Sequence, residues 1–110
     1  MSIFEGENIA GMSDLMFIEL VIGKLELIPK GEWCTHSYED KAGCKCVMGH
    51  CGATYNNPMP RGASRLIGFR FGKGNIIYIN DFNDERDPKE RTISALRNKR
   101  AELMAVKNQV

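Results

Sequence analysis

The chain has 110 residues, 43% of them hydrophobic and 26% charged, with four prolines and a formal net charge of +1. That is the size and balance of one globular domain around one core, and it excludes a disordered tail, a coiled coil and a uniformly basic module as descriptions of the whole. The near-neutral total conceals a split: residues 1–60 carry four lysines against eight acids, and residues 61–110 carry eleven basic residues against six acids. Such a split either creates a local field for an anionic partner or draws the two halves of the chain together.

Residues 1–12 read as a flexible lead-in, and residues 13–110 as a single helical domain. Glu5 and Glu7 stand where a secretory leader needs a basic flank, and Glu19 interrupts the apolar run from Leu15 to Ile22. The expectation is a cytoplasmic protein with no membrane partner, whose thiols stay reduced. Ser13 is placed to cap a helix over residues 14–28. Glu19, Gly23 and Glu26 would share its polar stripe, with Leu15, Ile18, Val21, Ile22 and Leu25 elsewhere on its surface. The competing reading of the same stretch is a β-hairpin turning at Gly23-Lys24.

Pro29 and Gly31 end that element, and the stretch to Gly43 has a loop's composition with Trp33 as its large apolar anchor. A second helix is expected to open near Cys44 or Cys46 and to run to Tyr55, before the prolines of "NNPMPRG". Residues Arg65–Phe71 and Ile76–Phe82 alternate as strands do, around Gly72-Lys73-Gly74-Asn75, and local rules predict one short β-hairpin over 65–82. The last element has the fullest signals. Asp87 as cap, Pro88 at the first helical position and Glu90 three residues after the cap predict a helix to about Val106. Its buried side would be Ile93, Leu96, Ala101, Leu103 and Met104. The fold class is therefore mainly α, a small compact helical domain with at most one hairpin.

"EWC" at 32–34, "GCKCVMG" at 43–49, "FND" at 82–84, and a closing helix with Ile93 nine residues after Asp84, occur in one order. In that order they resemble a family of short bacterial and phage proteins classed as a domain of unknown function. The resemblance spans residues 15–105 and is carried by Trp33, Cys34, Cys46, Gly49, Asn83 and Asp84. It implies a predominantly helical architecture, with helix and loop in place of the hairpin at 65–82. Cys44, Cys51, His36 and His50 lie outside the pattern, so metal chemistry using them would be peculiar to this chain.

All four cysteines and both histidines fall between Cys34 and Cys51. Cys34, His36, Cys44, Cys46, His50 and Cys51 are candidate ligands for zinc, which takes four thiolate or imidazole groups. Their spacing departs from the two-residue gap that aims paired sulfurs at one ion, and the alternative is that the thiols pack as small hydrophobes with no cofactor bound. A cysteine-dependent enzyme would need one thiol of low pKa beside His36 or His50. "NDFNDERD" at 80–87 lacks the glycine and the closing glutamate of a calcium loop, so Asn83, Asp84 and Asp87 read as structural, like Trp33.

Arg61, Arg65, Arg70, Arg97, Lys99 and Arg100 are the candidate partner-binding residues. The reading they support is a non-enzymatic intracellular accessory protein that binds a macromolecule, a protein first and a nucleic acid second. The phage side of the resemblance makes a host-directed inhibitor its most concrete form. The alternatives are a zinc-stabilised nucleic-acid- or protein-binding module and the cysteine enzyme.

Overall fold

The computed structural model describes residues 2–71, 77–84 and 86–108. Among the described residues there are five α-helices: α1 Asp14–Glu26, α2 Val47–His50, α3 Arg61–Ile67, α4 Ile79–Asn83 and α5 Pro88–Asn108. The protein is a small, mainly α domain. Its core lies between α1 and α5, with α4 packed under α5.

Helix α1 starts where the sequence places it, because the Ser13 hydroxyl accepts the Met16 N–H at 3.2 Å. Phe17, Ile18, Val21, Ile22 and Leu25 are buried, while Glu19, Gly23 and Glu26 face out. That spacing is one helical stripe against the core, and it excludes the alternative hairpin at Gly23-Lys24.

The lead-in is not loose. Phe4 and Ile9 are core residues, and Phe4 stacks on Phe17 with ring centroids 5.3 Å apart. Burial of these two large apolar side chains works against the chain freedom the segment loses on packing. The Ile3 amide also donates to His50 O at 2.9 Å, tying the segment to α2.

Helix α2 is a single turn, not the longer helix expected to Tyr55. Gly52 takes φ +98, a left-handed conformation that suits glycine, and the Ala53 amide turns back to Met48 O at 3.0 Å. This closes the helix at its carboxyl end within one turn. Ahead of α2, Trp33 and Lys45 form a parallel bridge, with Lys45 N donating to Glu32 O and Cys34 N to Lys45 O, both at 3.1 Å.

At both ends of 65–82 the described residues are helical rather than the strands of a hairpin. Arg65–Ile67 complete α3, and Ile79–Phe82 belong to α4. Among the described residues the strand pairing there is one antiparallel bridge, Phe71 N to Ile77 O at 2.8 Å. The expected turn at 72–75 and the start of the second strand at Ile76 lie outside the described residues. The alternation that mimicked a strand is satisfied otherwise: Leu66, Phe71 and Ile79 are buried from three different elements.

Helix α5 begins at Pro88 as the sequence predicts. Asp87, however, has φ 55 rather than the extended backbone of a usual cap. Its carbonyl accepts from Arg91 N at 3.0 Å, and its carboxylate faces Lys30 at 3.7 Å. The buried side of α5 is Thr92, Ile93, Ala95 and Leu96; Ala101 and Met104 are exposed, and Leu103 is half-buried. The cause is length. Twenty-one residues of α5 span about 31 Å at 1.5 Å per residue, against about 20 Å for the thirteen of α1, so the last turns outrun their neighbour.

Candidate functional site

The sulfur-bearing segment is interior only in its second part: residues 46–51 are buried, residues 39–43 are exposed, and Cys34 and Cys44 are half-buried. The bridge between Trp33 and Lys45 sets Cys34 beside the segment that carries Cys44 and Cys46. The Cys34 thiol donates to Cys44 O at 3.3 Å and Ser37 O at 3.4 Å, and the Cys44 thiol to Gly31 O at 3.0 Å. Cys46 and Cys51 are buried. Burial, reinforced by Asp40 and by the Cys46 and Cys44 sulfurs, pushes the Cys34 thiol up to about 11. Burial also pushes Cys46 and Cys51 up. These are protonated thiols at neutral pH.

His50 is buried as well. Its ring tilts against Trp33 with centroids 5.1 Å apart, its Nε2 hydrogen-bonds Glu32 O at 3.1 Å, and burial pushes its pKa down. His36 is the opposite case, at φ 58 with a side chain 71% exposed. Among the described residues, no three His, Cys, Asp or Glu side chains gather in a way that could hold a metal ion.

Cys34, Asn83 and Asp84 meet at one joint, with Val47 and His36. Fully buried Asn83 accepts the Val47 amide at 2.9 Å and donates to Cys34 O at 3.1 Å, fastening α4 to α2 and to the segment after Trp33. Asp84 accepts the His36 amide at 3.0 Å and lies 3.6 Å from His36 Nδ1. Gly49 is required by a close approach, since a Cβ there would sit 1.9 Å from Tyr38 O. Asn83 and Asp84 thus tie the end of α4 to Cys34, His36 and Val47.

Beside this joint lies an open cavity of about 430 Å³, bordered by His36, Tyr38, Met48, Tyr55, Asn80 and Asp84, with Cys46 also on its wall. Tyr38 and Tyr55 form its rim, with ring centroids 5.0 Å apart and planes inclined at 53°. The two rings also border a smaller depression of about 190 Å³ that contains Glu39 and Lys45. Tyr55 is 72% exposed, and Met59, further along the same loop, is 50% exposed. Asn80 Oδ1 is buried with no hydrogen-bond partner. Nothing in the sequence marks Tyr38, Met48, Tyr55 or Asn80 as site residues. Tyrosines and asparagines in loops carry no local signal of a shared wall.

The six basic residues do not form one free surface. The Arg65 guanidinium donates to Ile9 O at 2.7 Å and Met12 O at 2.6 Å, meets Asp14 at 3.1 Å and lies 4.5 Å over the Phe17 ring. Arg97 is paired with Glu26. Lys99 pairs with Glu102 at 2.8 Å and sits 5.4 Å over Phe71. Arg61 and Arg70 are exposed, and Arg100 is half-buried. Part of the charge split is therefore answered inside the molecule, since Arg65 to Asp14 and Arg97 to Glu26 join the basic half to the acidic one.

No helix among the described residues is long and apolar enough to cross a membrane. Comparison of the chain with protein-family models, curated proteins and solved structures finds no match.

Proposed function

We propose that this chain is a non-enzymatic accessory protein that works by binding another protein, and that the cavity rimmed by Tyr38 and Tyr55 is where it does so. The carrying observation is the exposed Tyr55, tilted on Tyr38 at 5.0 Å over an open cavity, with exposed Met59 on the same loop. Rigid amphipathic rings at the edge of a concavity are the anchors that protein interfaces use most. In this reading the protein acts in the cytoplasm, where its thiols stay reduced, and a host protein is the concrete form of the partner.

The basic residues play a smaller part than the sequence suggests, because Arg65, Arg97 and Lys99 have intramolecular partners. Arg61, Arg70 and Arg100 remain to steer an acidic surface toward the cavity. The test is co-purification of the tagged full chain from host extract, in parallel with a Y55A/M59A double variant. Both substitutions fall on exposed side chains and leave the core intact. A defined partner lost from the double variant supports the proposal, and a complex indifferent to both substitutions removes it.

One observation favours the cysteine-enzyme reading: Cys46, His36 and Asp84 border the same cavity. Its weakness is the Cys46 thiol, which burial pushes up rather than down. Alkylation of Cys46 ahead of the other thiols near neutral pH would put that reading first.

A further inference from the structure

We infer that residues 57–61, between the turn at Tyr55 and helix α3, form a polyproline II ridge that seats in a groove of tryptophan and tyrosine rings on the partner protein. An acidic residue beside that groove would meet Arg61. The inference rests on the protein-binding proposal and names the kind of surface that its loop engages.

The sequence Asn57-Pro58-Met59-Pro60 leaves its backbone little choice. Each proline fixes its own φ near about −65° and drives the residue before it out of the helical region, so all four positions are held extended. Pro60 takes φ −64 and ψ 164, in the polyproline II region. Both ends of the stretch are pinned. Thr54 and Asn57 exchange backbone hydrogen bonds at 3.0 and 3.2 Å, and the Pro60 carbonyl accepts the Ser64 amide at 2.8 Å as α3 begins. The Pro60 ring lies over Gly52, 3.6 Å from where a Cβ would stand, and is half-buried, whereas residues 54–59 are all exposed. A ridge already ordered in the free protein loses little further chain freedom on binding.

The groups that the ridge exposes decide what fits it. Among the described residues, the carbonyls of Pro58 and Met59 have no hydrogen-bond partner, and Arg61 has no ion-pair partner. The Asn57 amide is spent on Thr54 and the prolines have none, so Met59 alone offers a free N–H. One donor is too few for strand addition to a sheet edge, and residues ahead of proline cannot enter a helix for a helix-binding groove. A nucleic acid would meet Arg61 as the one cation of residues 57–61. What the stretch does present is exposed Pro58 and half-exposed Met59 beside free carbonyls. Tryptophan and tyrosine pack on the first and donate N–H or O–H to the second, and Arg61, exposed at the foot of the ridge, takes a carboxylate.

The experiment titrates isotope-labelled full-length protein with purified SH3 and WW domains, whose grooves take polyproline II segments through such rings, followed by NMR. The expected result is saturable binding to at least one domain, with shifts centred on Met59 and Arg61 and reversed by a free proline-rich peptide. Affinity should fall by about tenfold or more when the groove tryptophan of that domain is replaced by alanine, and by about tenfold for Arg61→Glu, the loss of one charge-assisted hydrogen bond. Pro58→Ala, which loosens the ridge before binding, should weaken it about two- to fivefold. Both substitutions fall on exposed side chains outside the core. No saturable binding to either class of domain, shifts centred elsewhere, indifference to the groove tryptophan, or unchanged affinity in both variants would each overturn the inference. A partner complex lost in Y55A/M59A but indifferent to Pro58→Ala, Arg61→Glu and the competing peptide would overturn the ridge and leave the protein-binding proposal standing. A complex indifferent to Tyr55 and Met59 would remove both.

Discussion

The side chain of Asn83 caps helix α2 from a distance: its Oδ1 accepts the Val47 N–H at 2.9 Å across 36 positions of sequence. Its Nδ2 donates to Cys34 O at 3.1 Å, so one fully buried amide satisfies a donor and an acceptor from two other segments. Removing it leaves both unpaired in the interior. Asn83→Ala should cost roughly 2–4 kcal/mol in denaturant unfolding. Asn83→Asp keeps the acceptor but places a carboxylate beside Asp84 and loses the donor, so it should be at least as destabilised near neutral pH and recover in part on acidification. An Asn83→Ala protein with an unchanged midpoint would show that α2 needs no such cap.

Gly49 and Gly62 are both closely approached, by different kinds of atom. A Cβ at Gly49 would lie 1.9 Å from Tyr38 O and 2.8 Å from Tyr38 C, which are backbone. At Gly62 it would lie 2.1 Å from the Phe4 ring, a side chain on the terminal segment. The Phe4 side chain can yield only by shifting on Phe17, whereas the Tyr38 backbone cannot rotate away and also holds one wall of the cavity. Gly49→Ala should therefore cost about 3 kcal/mol and shift the Tyr38 and Tyr55 resonances, and Gly62→Ala should cost about 1–2 kcal/mol and leave them in place. Thermal unfolding and NMR of the two variants check both parts.

How much of this was legible depended on range. The ends of α1 and α5 are announced locally, by Ser13 and by Pro88, and both helices begin where those residues stand. The strand-like alternation at 65–82 misled because burial there is shared among α3, α4 and the Phe71 bridge, and no local period records a neighbour so far along the chain. The same limit hid the cavity, whose Tyr38, Tyr55 and Asn80 meet only after α2 and α4 are joined by Asn83. The cysteines were visible as a cluster. Their direction, toward backbone carbonyls, was not.

Arg65 shows what its geometry adds to its charge. Its fork reaches Ile9 O, Met12 O and Asp14, with the Phe17 ring beneath it. A lysine has neither the fork nor the flat face. Arg65→Lys should cost roughly 1.5–3 kcal/mol, the range for hydrogen bonds to a charged group. Asp14→Asn should cost less than about 1 kcal/mol, because that pair is largely exposed. Equal losses in the two variants would assign the stabilisation to the ion pair rather than to the carbonyl contacts.

Thiol reactivity follows burial and hydrogen bonding. Cys44 is half-exposed and should react first with iodoacetamide at about pH 7.5. Cys34, pushed up to about 11, and Cys46, raised by burial, should lag, with fully buried Cys51 last. Cys34 and Cys44 already donate S–H to backbone carbonyls, so a chelator should leave the melting temperature within about a degree. Peptide mass mapping over time reads the order. A large fall in melting temperature with chelator would restore the zinc-stabilised alternative.

The buried His50 should make stability depend on pH on the acid side. Burial is the main cause of its lowered pKa, and nearby Lys45 adds to it, while the hydrogen bond to Glu32 O and the Glu32 charge oppose it. With the folded-state value below the ordinary 6.5, the unfolded chain binds the proton more readily. The contribution is fully present above about pH 6.5 and is lost as pH falls through the folded-state value, with a slope of at most about 1.4 kcal/mol per pH unit for one proton. His50→Gln retains an N–H donor without titrating. Stability of the parent protein should fall between about pH 6.5 and 5, and the variant should be flatter over that interval, before carboxylates begin to protonate in both. Parallel curves for the two proteins would mean that the ring takes up its proton inside the fold, and that the Trp33 contact tolerates an imidazolium.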